Sequence, residues 1–212
     1  MLYFIQRHPR LAGSIAAAAV IVAFWMYWSG RINTWDLVNA PPATDEPIAC
    51  FGDSLVHGVG ADSEDSTYPA LLAEMLDAVV VVHGYSGATT GTALQTLRES
   101  LEIDGSIVIV TLGGNDFMRR MSLAETLENL EAIFTELQRR GAMVAYTGVP
   151  DGRTDAYREL CRKKGVLLIP EVLDGILGNR DLKANPIHPN SKGYRVMAER
   201  VAETLKKHVL KD

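Results

Sequence analysis

Ser54 stands where an apolar run meets a glycine-rich loop, in the segment Phe51-Gly52-Asp53-Ser54-Leu55. A serine hydroxyl is a useful nucleophile only when a nearby base removes its proton. His188 is the candidate base, because Pro186 and Pro189 fix the backbone around it just before a predicted helix. A loop serine is also typical of a simple turn, and the segment lacks the G-x-S-x-G pattern of α/β-hydrolases. The pair indicates covalent catalysis by a serine with a histidine base.

Two further strand ends carry groups that can hold a developing negative charge. Gly113-Gly114-Asn115-Asp116 follows the most apolar predicted strand, and the Asn115 amide can donate a hydrogen bond to an oxyanion. Gly87 ends another predicted strand and offers a bare backbone N–H to the same oxygen. Ordinary turn chemistry would explain either segment alone. Their occurrence together with Ser54 and His188 favours an enzyme.

Alternating apolar runs and helical patterns from Pro47 onward must position these groups. The predicted strands are Ile48–Phe51, Val79–His83, Ile107–Leu112, Met143–Thr147 and Val166–Ile169. The predicted helices are Thr67–Asp77, Gly91–Leu101, Ser122–Arg140, Thr154–Lys164 and Asn190–His208. This alternation predicts an α/β fold with a five-stranded parallel sheet wrapped by helices on both faces. Ligands of such sheets bind beyond the carboxyl ends of the strands, where Ser54 and Asn115 fall.

Residues 1–31 form a separate unit. Leu11–Trp28 carries no charge over 18 residues, and as a helix it would span about 27 Å, close to the apolar thickness of a bilayer. Arginines precede this run and aromatic residues cluster at its end, so we predict an N-terminal transmembrane anchor, or an uncleaved signal, with the main domain periplasmic or extracellular. A cleaved secretory signal is the alternative, although its apolar region is usually about 7–15 residues long. Residues 32–46 are predicted to be a linker, and residues 47–212 the catalytic domain.

Composition excludes several other classes of function. The net charge of −5 and the lack of a basic stripe argue against a nucleic-acid partner. Cys50 and Cys161 fall on a predicted strand and helix, which favours small buried residues and leaves their pairing open. No histidine, cysteine or carboxylate set has the spacing of metal ligands, so we expect no metal and no cofactor.

Four blocks in order resemble the SGNH-hydrolase, or GDSL-esterase, family. They are Gly52-Asp53-Ser54-Leu55, Gly87, Gly113-Gly114-Asn115-Asp116 and His188-Pro189-Asn190. The small size and the sequence around His188 look most like the thioesterase, lysophospholipase and arylesterase branch. The resemblance implies a flavodoxin-like three-layer α/β/α fold without a metal, in which Ser54 is the nucleophile and His188 the base. It also implies an oxyanion hole formed by the Ser54 N–H, the Gly87 N–H and the Asn115 side chain.

The chain departs from the family at the acid. The family places an acidic residue three positions before the histidine, and this chain has Asn185 there. An amide oxygen can still accept a hydrogen bond from the His188 ring, but it brings no negative charge to stabilise the imidazolium. We therefore predict a hydrolase slower than its relatives, in which Asn185→Asp raises turnover.

The sequence leads to a membrane-anchored serine esterase that cleaves ester or thioester bonds through an acyl-enzyme. The expected substrates are short or medium acyl esters, aryl esters or lysophospholipids, with the membrane contacted through the N-terminal helix. Removal of O-acetyl groups from envelope glycans would use the same residues and remains an alternative. Because the acid position is Asn185, a weakly active or inactive domain that binds acyl or glycan ligands is a further alternative.

Overall fold

The computed structural model describes residues 33–43, 46–99, 102–149 and 151–210. The predicted anchor, Leu11–Trp28, lies outside the described residues. Within the described ranges, no helix is both long and apolar enough to cross a membrane. Contacts divide the chain into Met1–Thr34 and Trp35–Asp212, and the second unit holds all of the strands and helices described below.

Near-continuous apolar sequence forms the strands, and they are buried along their length except for the strand at one edge of the sheet, which is partly exposed. They are β1 Ile48–Gly52, β2 Val80–Gly84, β3 Ile107–Thr111, β4 Met143–Thr147 and β5 Leu167–Ile169. All neighbouring pairs are parallel, in the order β2-β1-β3-β4-β5. The predicted five-stranded parallel sheet is confirmed, and this order is that of flavodoxin-like doubly wound sheets.

The described part of the chain contains seven α-helices. They are α1 Ser54–His57, α2 Tyr68–Leu76, α3 Thr90–Glu99, α4 Gly114–Met118, α5 Leu123–Arg139, α6 Thr154–Lys164 and α7 Ser191–His208. The five longer helices agree with the predicted ones to within two residues at every end. The short helices α1 and α4 were not predicted, because four or five residues are too few to show a helical period.

Alternating strand residues supply two cores, one on each face of the sheet. One face of β1, β3, β4 and β5 packs with the apolar faces of α2 and α7. On the other face, the Tyr146 ring of β4 contacts Phe134 of α5 and Tyr157 of α6 at centroid distances of 5.5 and 5.6 Å. Helices therefore cover both faces and leave the carboxyl ends of the strands open.

Local capping explains where the longer helices begin and end. Ser122 Oγ accepts the Glu125 N–H at 3.1 Å before α5, and Gly141 follows that helix with φ +96°. Asn190 Oδ1 accepts the N–H groups of Lys192 and Gly193 at the start of α7. The second cap fixes where the helix after His188 starts.

Part of the segment predicted as a linker packs against the domain. Trp35 Nε1–H donates to Val166 O at 2.9 Å, and Asn39 Nδ2–H donates to Gln138 O and Ala142 O at 2.9 and 3.0 Å. Residues 35–39 are thus attached at the amino ends of β4 and β5 and do not form a free stalk. Three of these five residues, Trp35, Leu37 and Val38, are apolar, but so short a stretch shows neither a helical nor a strand period.

The two cysteines are buried and unpaired. Cys50 lies within β1 and Cys161 on α6. Burial raises the pKa of the Cys50 thiol to about 12 and also raises the pKa of Cys161. Both therefore act as small apolar core residues and are poor nucleophiles near neutral pH.

Candidate active site

Ser54 is the first residue of α1, directly beyond the carboxyl end of β1. Asp53 caps this helix, and its Oδ1 accepts the Leu55 N–H at 3.0 Å. The first N–H of a helix has no partner within the helix, so the Ser54 N–H is available to a ligand. Gly52 permits close contact between β1 and β3, because a Cβ there would lie 2.1 Å from Thr111 O.

The His188 imidazole meets the Ser54 hydroxyl across 134 positions of sequence. Ser54 Oγ and His188 Nε2 are 3.0 Å apart, which is hydrogen-bonding distance. His188 lies in the loop before α7, where Ala184 N–H donates to His188 O at 3.0 Å and Lys183 bridges to Pro189. These backbone contacts close the loop and hold the imidazole at the rim of the sheet.

Asn185 contacts the other ring nitrogen of His188. Its Oδ1 lies 3.1 Å from His188 Nδ1 and also accepts the backbone N–H groups of Ile187 and His188, both at 3.0 Å. A flipped amide would turn its N–H₂ toward these N–H donors, so the oxygen is fixed toward the ring. Because an amide oxygen only accepts, Nδ1 carries the proton of the neutral imidazole, and the lone pair of Nε2 faces Ser54.

Partial burial lowers the pKa of His188. Desolvation disfavours the charged form of a histidine, whereas a neighbouring carboxylate would favour it. Here the residue against Nδ1 is neutral, so nothing in the Asn185 contact offsets the desolvation. The imidazole is accordingly neutral, and able to accept a proton, at lower pH than an ordinary histidine.

Three hydrogen bonds connect the loop after α1 to the start of α7, and one close backbone approach connects it to the preceding loop, which carries His188. Tyr194 O–H of α7 donates to Val59 O at 2.8 Å, and Ser191 Oγ both donates to Asp62 Oδ2 and accepts the Asp62 N–H. Gly60, with φ +99°, lies against the second loop, because a Cβ there would be 2.4 Å from Pro189 O. The distance between Ser54 and His188 therefore depends on packing between these two loops.

The loop after β2 is held by donors from α4 and from Arg119, the residue that follows this helix. Asn115 Nδ2–H donates to Ala88 O at 2.9 Å and to Asp53 Oδ2 at 3.3 Å. Arg119 Nη2–H donates to Gly87 O at 2.9 Å. Asn115 and Arg119 are four residues apart, which places them on one side of the helical turn.

Gly87 and Asn115 differ in how free their donors are. Gly87 has φ +80°, a conformation that favours glycine, and its N–H has no hydrogen-bond partner among the described residues. Asn115 is buried and directs its amide at two protein acceptors. The longer of these bonds, to Asp53, is the weaker one and is the one that an incoming oxyanion can replace.

Burial raises the pKa of Asp53 to about 6, and the nearby Asp116 charge adds to this, while the Leu55 N–H and Asn115 amide lower it. Asp116 is itself buried and accepts both the N–H and the hydroxyl of Thr90. The floor of the site thus contains two buried carboxyl groups, each satisfied by hydrogen bonds.

The structure brings Ser54, His188 and Asn185 into one hydrogen-bonded chain and places Gly87 and Asn115 at the ends of the two strands beside β1. Arg119 was not singled out from the sequence, and Asp53 was considered only as part of a simple turn. The Asp53 cap had a signal, since aspartate before a serine often caps a short turn. The Arg119 contact had only its four-residue spacing from Asn115. No group of three or more histidine, cysteine, aspartate or glutamate side chains in the described ranges could hold a metal ion.

Comparison with known proteins identifies the class to which this fold and site belong. Residues 50–196 match the GDSL-like Lipase/Acylhydrolase family, and the chain belongs to that family. It is a hydrolase of the GDSL/SGNH esterase class, acting on esters.

Individual relatives agree with this class. The chain is 28% identical over 181 residues to Esterase TesA of Pseudomonas aeruginosa, covering 77% of this chain and 90% of that protein. It is 29% identical to AlinE4, an SGNH-hydrolase family esterase, with a TM-score of 0.61 and coverage of 78% and 97%. The psychrotrophic esterase EstA from Pseudoalteromonas sp. shares the fold with a TM-score of 0.67 at 24% identity, covering 77% and 98%.

Proposed function

We propose that this chain is a serine esterase that cleaves carboxylic esters or thioesters through an acyl-enzyme on Ser54. The observation that carries the proposal is the 3.0 Å contact between Ser54 Oγ and His188 Nε2, beside backbone N–H groups that have no partner within the described ranges. A hydroxyl, a neutral imidazole and oxyanion donors are the parts that acyl transfer requires.

In the proposed first step, Ser54 Oγ attacks the carbonyl carbon while its proton passes to His188 Nε2. The carbonyl π electrons move to the oxygen, which accepts from the Ser54 and Gly87 N–H groups. Asn115 joins them by exchanging its 3.3 Å bond to Asp53 for one to the oxyanion. Collapse of this intermediate expels the alcohol or thiol, which takes the proton from Nε2.

In the second step, water attacks the acyl-enzyme and gives a proton to His188. The oxyanion forms again at the same donors, and its collapse releases the acid and returns the proton to Ser54 Oγ. Throughout, Asn185 Oδ1 accepts the Nδ1–H and keeps the ring in one orientation. It contributes no charge, so the imidazolium formed in each step is stabilised less than it would be by a carboxylate.

Ser54→Ala tests the proposal directly. We expect loss of hydrolysis of 4-nitrophenyl esters, loss of labelling by a fluorophosphonate, and an unchanged far-ultraviolet circular dichroism spectrum. Ser63→Ala, an exposed serine near the same loop, is the control and should keep both activities. A wild-type protein that neither hydrolyses esters nor takes the label would instead support the inactive, ligand-binding alternative.

The substrates proposed are short or medium acyl esters, aryl esters or lysophospholipids. A panel of 4-nitrophenyl esters of increasing chain length, run beside a lysophospholipid and an acetylated sugar, separates these classes. A kcat/KM at least tenfold higher for the acetylated sugar than for every acyl ester would support the alternative function, a carbohydrate O-acetyl esterase.

We also propose that residues 1–31 anchor the protein in a membrane, with the catalytic domain on the periplasmic or extracellular side. The uncharged run Leu11–Trp28, its arginine-rich start and its aromatic end support this. An anchored chain stays with the membrane fraction after a carbonate wash, and a variant lacking residues 1–31 does not. Release of the intact chain by carbonate would contradict the anchor.

A further inference from the structure

A pocket next to Gly87 contains a cationic side chain that catalysis by Ser54 does not use. Its volume is about 240 Å³, and its lining includes Tyr85, Ser86, Ala88 and Arg119. Gly87 lies in the same wall, whereas Ser54, His188 and Asn115 do not line it, so the pocket meets the proposed site at the Gly87 backbone. A group attached to the reacting carbonyl could extend into this space.

The guanidinium of Arg119 has donors to spare. Arg119 Nη2 bonds to Gly87 O, and an arginine offers five N–H donors in all. Among the described residues, no aspartate or glutamate lies within ion-pair distance of Arg119. The hydroxyls of Tyr85 and Ser86 likewise have no hydrogen-bond partner in the described part of the chain. The pocket is therefore lined by a cationic side chain that has no acidic partner among the described residues and by two hydroxyl-bearing residues.

The contact with Gly87 O also fixes the position of this charge. Arg119 Nη2 would be 3.7 Å from a Cβ built on Gly87. Adding the backbone step to the Gly87 nitrogen and one hydrogen bond places the guanidinium within about 9 Å of a carbonyl oxygen held there. An anion two to four bonds beyond the carbonyl carbon spans this distance.

From this geometry we infer that Arg119 selects esters bearing a carboxylate or phosphate a few bonds from the reacting carbonyl. The inference rests on the proposed esterase function and names the substrate class of that site. Arginine pairs with both anions through two parallel hydrogen bonds, and such charge-assisted bonds are about twice as strong as neutral ones. The anion could belong to the acyl part or to the alcohol part of the ester.

Paired substrates that share the reacting ester and differ in charge test the inference in the full-length chain. For the acyl part, the pair is 4-nitrophenyl monosuccinate and 4-nitrophenyl butyrate. For the alcohol part, it is the butyryl esters of glycerol 3-phosphate and of glycerol. We expect kcat/KM for the charged member to exceed that of the neutral member about tenfold in at least one pair, by an amount that falls as salt is added.

Arg119→Gln should reduce that charged-to-neutral ratio about tenfold, and Arg119→Lys should keep part of it. Arg119→Gln can also slow the neutral ester, because the Gly87 loop loses a contact, so the ratio is the deciding quantity. Arg120→Gln is the matched control, since Arg120 is exposed and does not line the pocket. If Arg119→Gln lowered kcat/KM equally for the charged and the neutral ester, or if the wild type did not prefer the charged ester, the inference would be overturned.

A binding measurement separates this inference from the esterase proposal. In Ser54→Ala, calorimetric titration should show about tenfold tighter binding of the monosuccinate ester than of the butyrate ester, and the added Arg119→Gln change should abolish the difference. If the wild type cleaves no ester, the esterase proposal fails while this titration still decides the role of Arg119. Equal binding of both esters would reject the selection of anions.

Discussion

The oxygen of Asn185 occupies the place of a carboxylate oxygen but lacks its charge. In serine proteases, asparagine in place of the acid costs about 10⁴ in kcat because the histidine adopts the wrong tautomer. Here two backbone N–H groups fix the amide with its oxygen toward Nδ1, so the tautomer is the useful one. The remaining cost to kcat comes from the imidazolium, which has no neighbouring negative charge to stabilise it.

Asn185→Asp should therefore raise kcat. A carboxylate keeps the acceptor geometry and adds a negative charge at the 3.1 Å contact with His188 Nδ1. A nearby opposite charge favours the charged imidazole by about one to three pK units, so an increase of about tenfold is expected. Steady-state hydrolysis of 4-nitrophenyl acetate measures it, with Asn185→Ala as the comparison that removes the acceptor. An unchanged or lower rate in Asn185→Asp would show that Asn185 does not limit turnover.

The same substitution should move the acidic limb of the pH profile. His188 is an active base only when neutral, and partial burial lowers its pKa. The rise of kcat/KM with pH in the wild type is thus expected at a midpoint below the ordinary histidine pKa of about 6.5. In Asn185→Asp the added charge raises the His188 pKa and shifts this midpoint upward. A midpoint that is the same in both proteins would contradict the assignment of His188 as the titrating base.

Asp53 should make stability depend on pH. Its folded pKa of about 6 lies above the ordinary value of 3.8, so the unfolded chain loses this proton first as pH rises. Its contribution is fully present below about pH 4 and is lost as pH rises through about 6, with a size of about 3 kcal/mol. Urea unfolding at pH 4 and pH 7 should show a smaller fall in the free energy of unfolding for Asp53→Asn than for wild type. If the free energy of unfolding fell equally in both proteins, the pH dependence of stability would come from groups other than Asp53.

The longer strands and helices could be predicted because their sequence patterns are periodic and their caps are local. The apolar run of β3 and the Ser122 cap of α5 need no tertiary information to be recognised. The turn at Ser54 is different, because α1 is too short for a pattern and depends on the Asp53 cap. The amide orientation of Asn185 and the contact of Arg119 with Gly87 arise from loops that meet only in the fold. The residues of the site were therefore predictable, and much of their hydrogen bonding was not.

Gly60→Ala should displace the loop after α1, which follows Ser54, from the loop that carries His188. The added Cβ would lie 2.4 Å from Pro189 O and 2.9 Å from the Ala184 Cβ, so one loop must move. Displacements of about 1 Å in a catalytic group can cost about a hundredfold in rate, and we expect a loss of that order in kcat/KM.

Gly141→Ala is the control for backbone strain. Gly141 has a similar φ of +96°, but a Cβ there meets nothing within 4 Å. Gly141→Ala should destabilise the protein by about 1 kcal/mol in thermal or urea unfolding, Gly60→Ala should cost more because of its clash, and only Gly60→Ala should slow hydrolysis. Equal rates in the two variants would mean that the loop contact does not position His188.

Residues 35–39 should stabilise the domain without affecting catalysis. Trp35 and Asn39 bond to carbonyl groups at the amino ends of β4 and β5, whereas the site lies beyond the carboxyl ends. Changing both to alanine removes three hydrogen bonds and the indole packing, and should lower the free energy of unfolding by about 2–4 kcal/mol. The kcat should stay the same, and Asp36→Ala, an exposed neighbour, should change neither quantity. A double variant as stable as the wild type would mean that this segment behaves as a free linker.

The three proposed oxyanion donors follow β1, β2 and β3, which are adjacent in the sheet. Neighbouring strands lie about 4.8 Å apart, a spacing set by backbone hydrogen bonds and independent of the side chains. Redesign aimed at new substrates can therefore replace the connections that follow β4 and β5 and precede the loop that carries His188. The positions of the three oxyanion donors would then stay the same. Insertions in the chain between β1 and β2, or between β2 and β3, would instead disturb these donors.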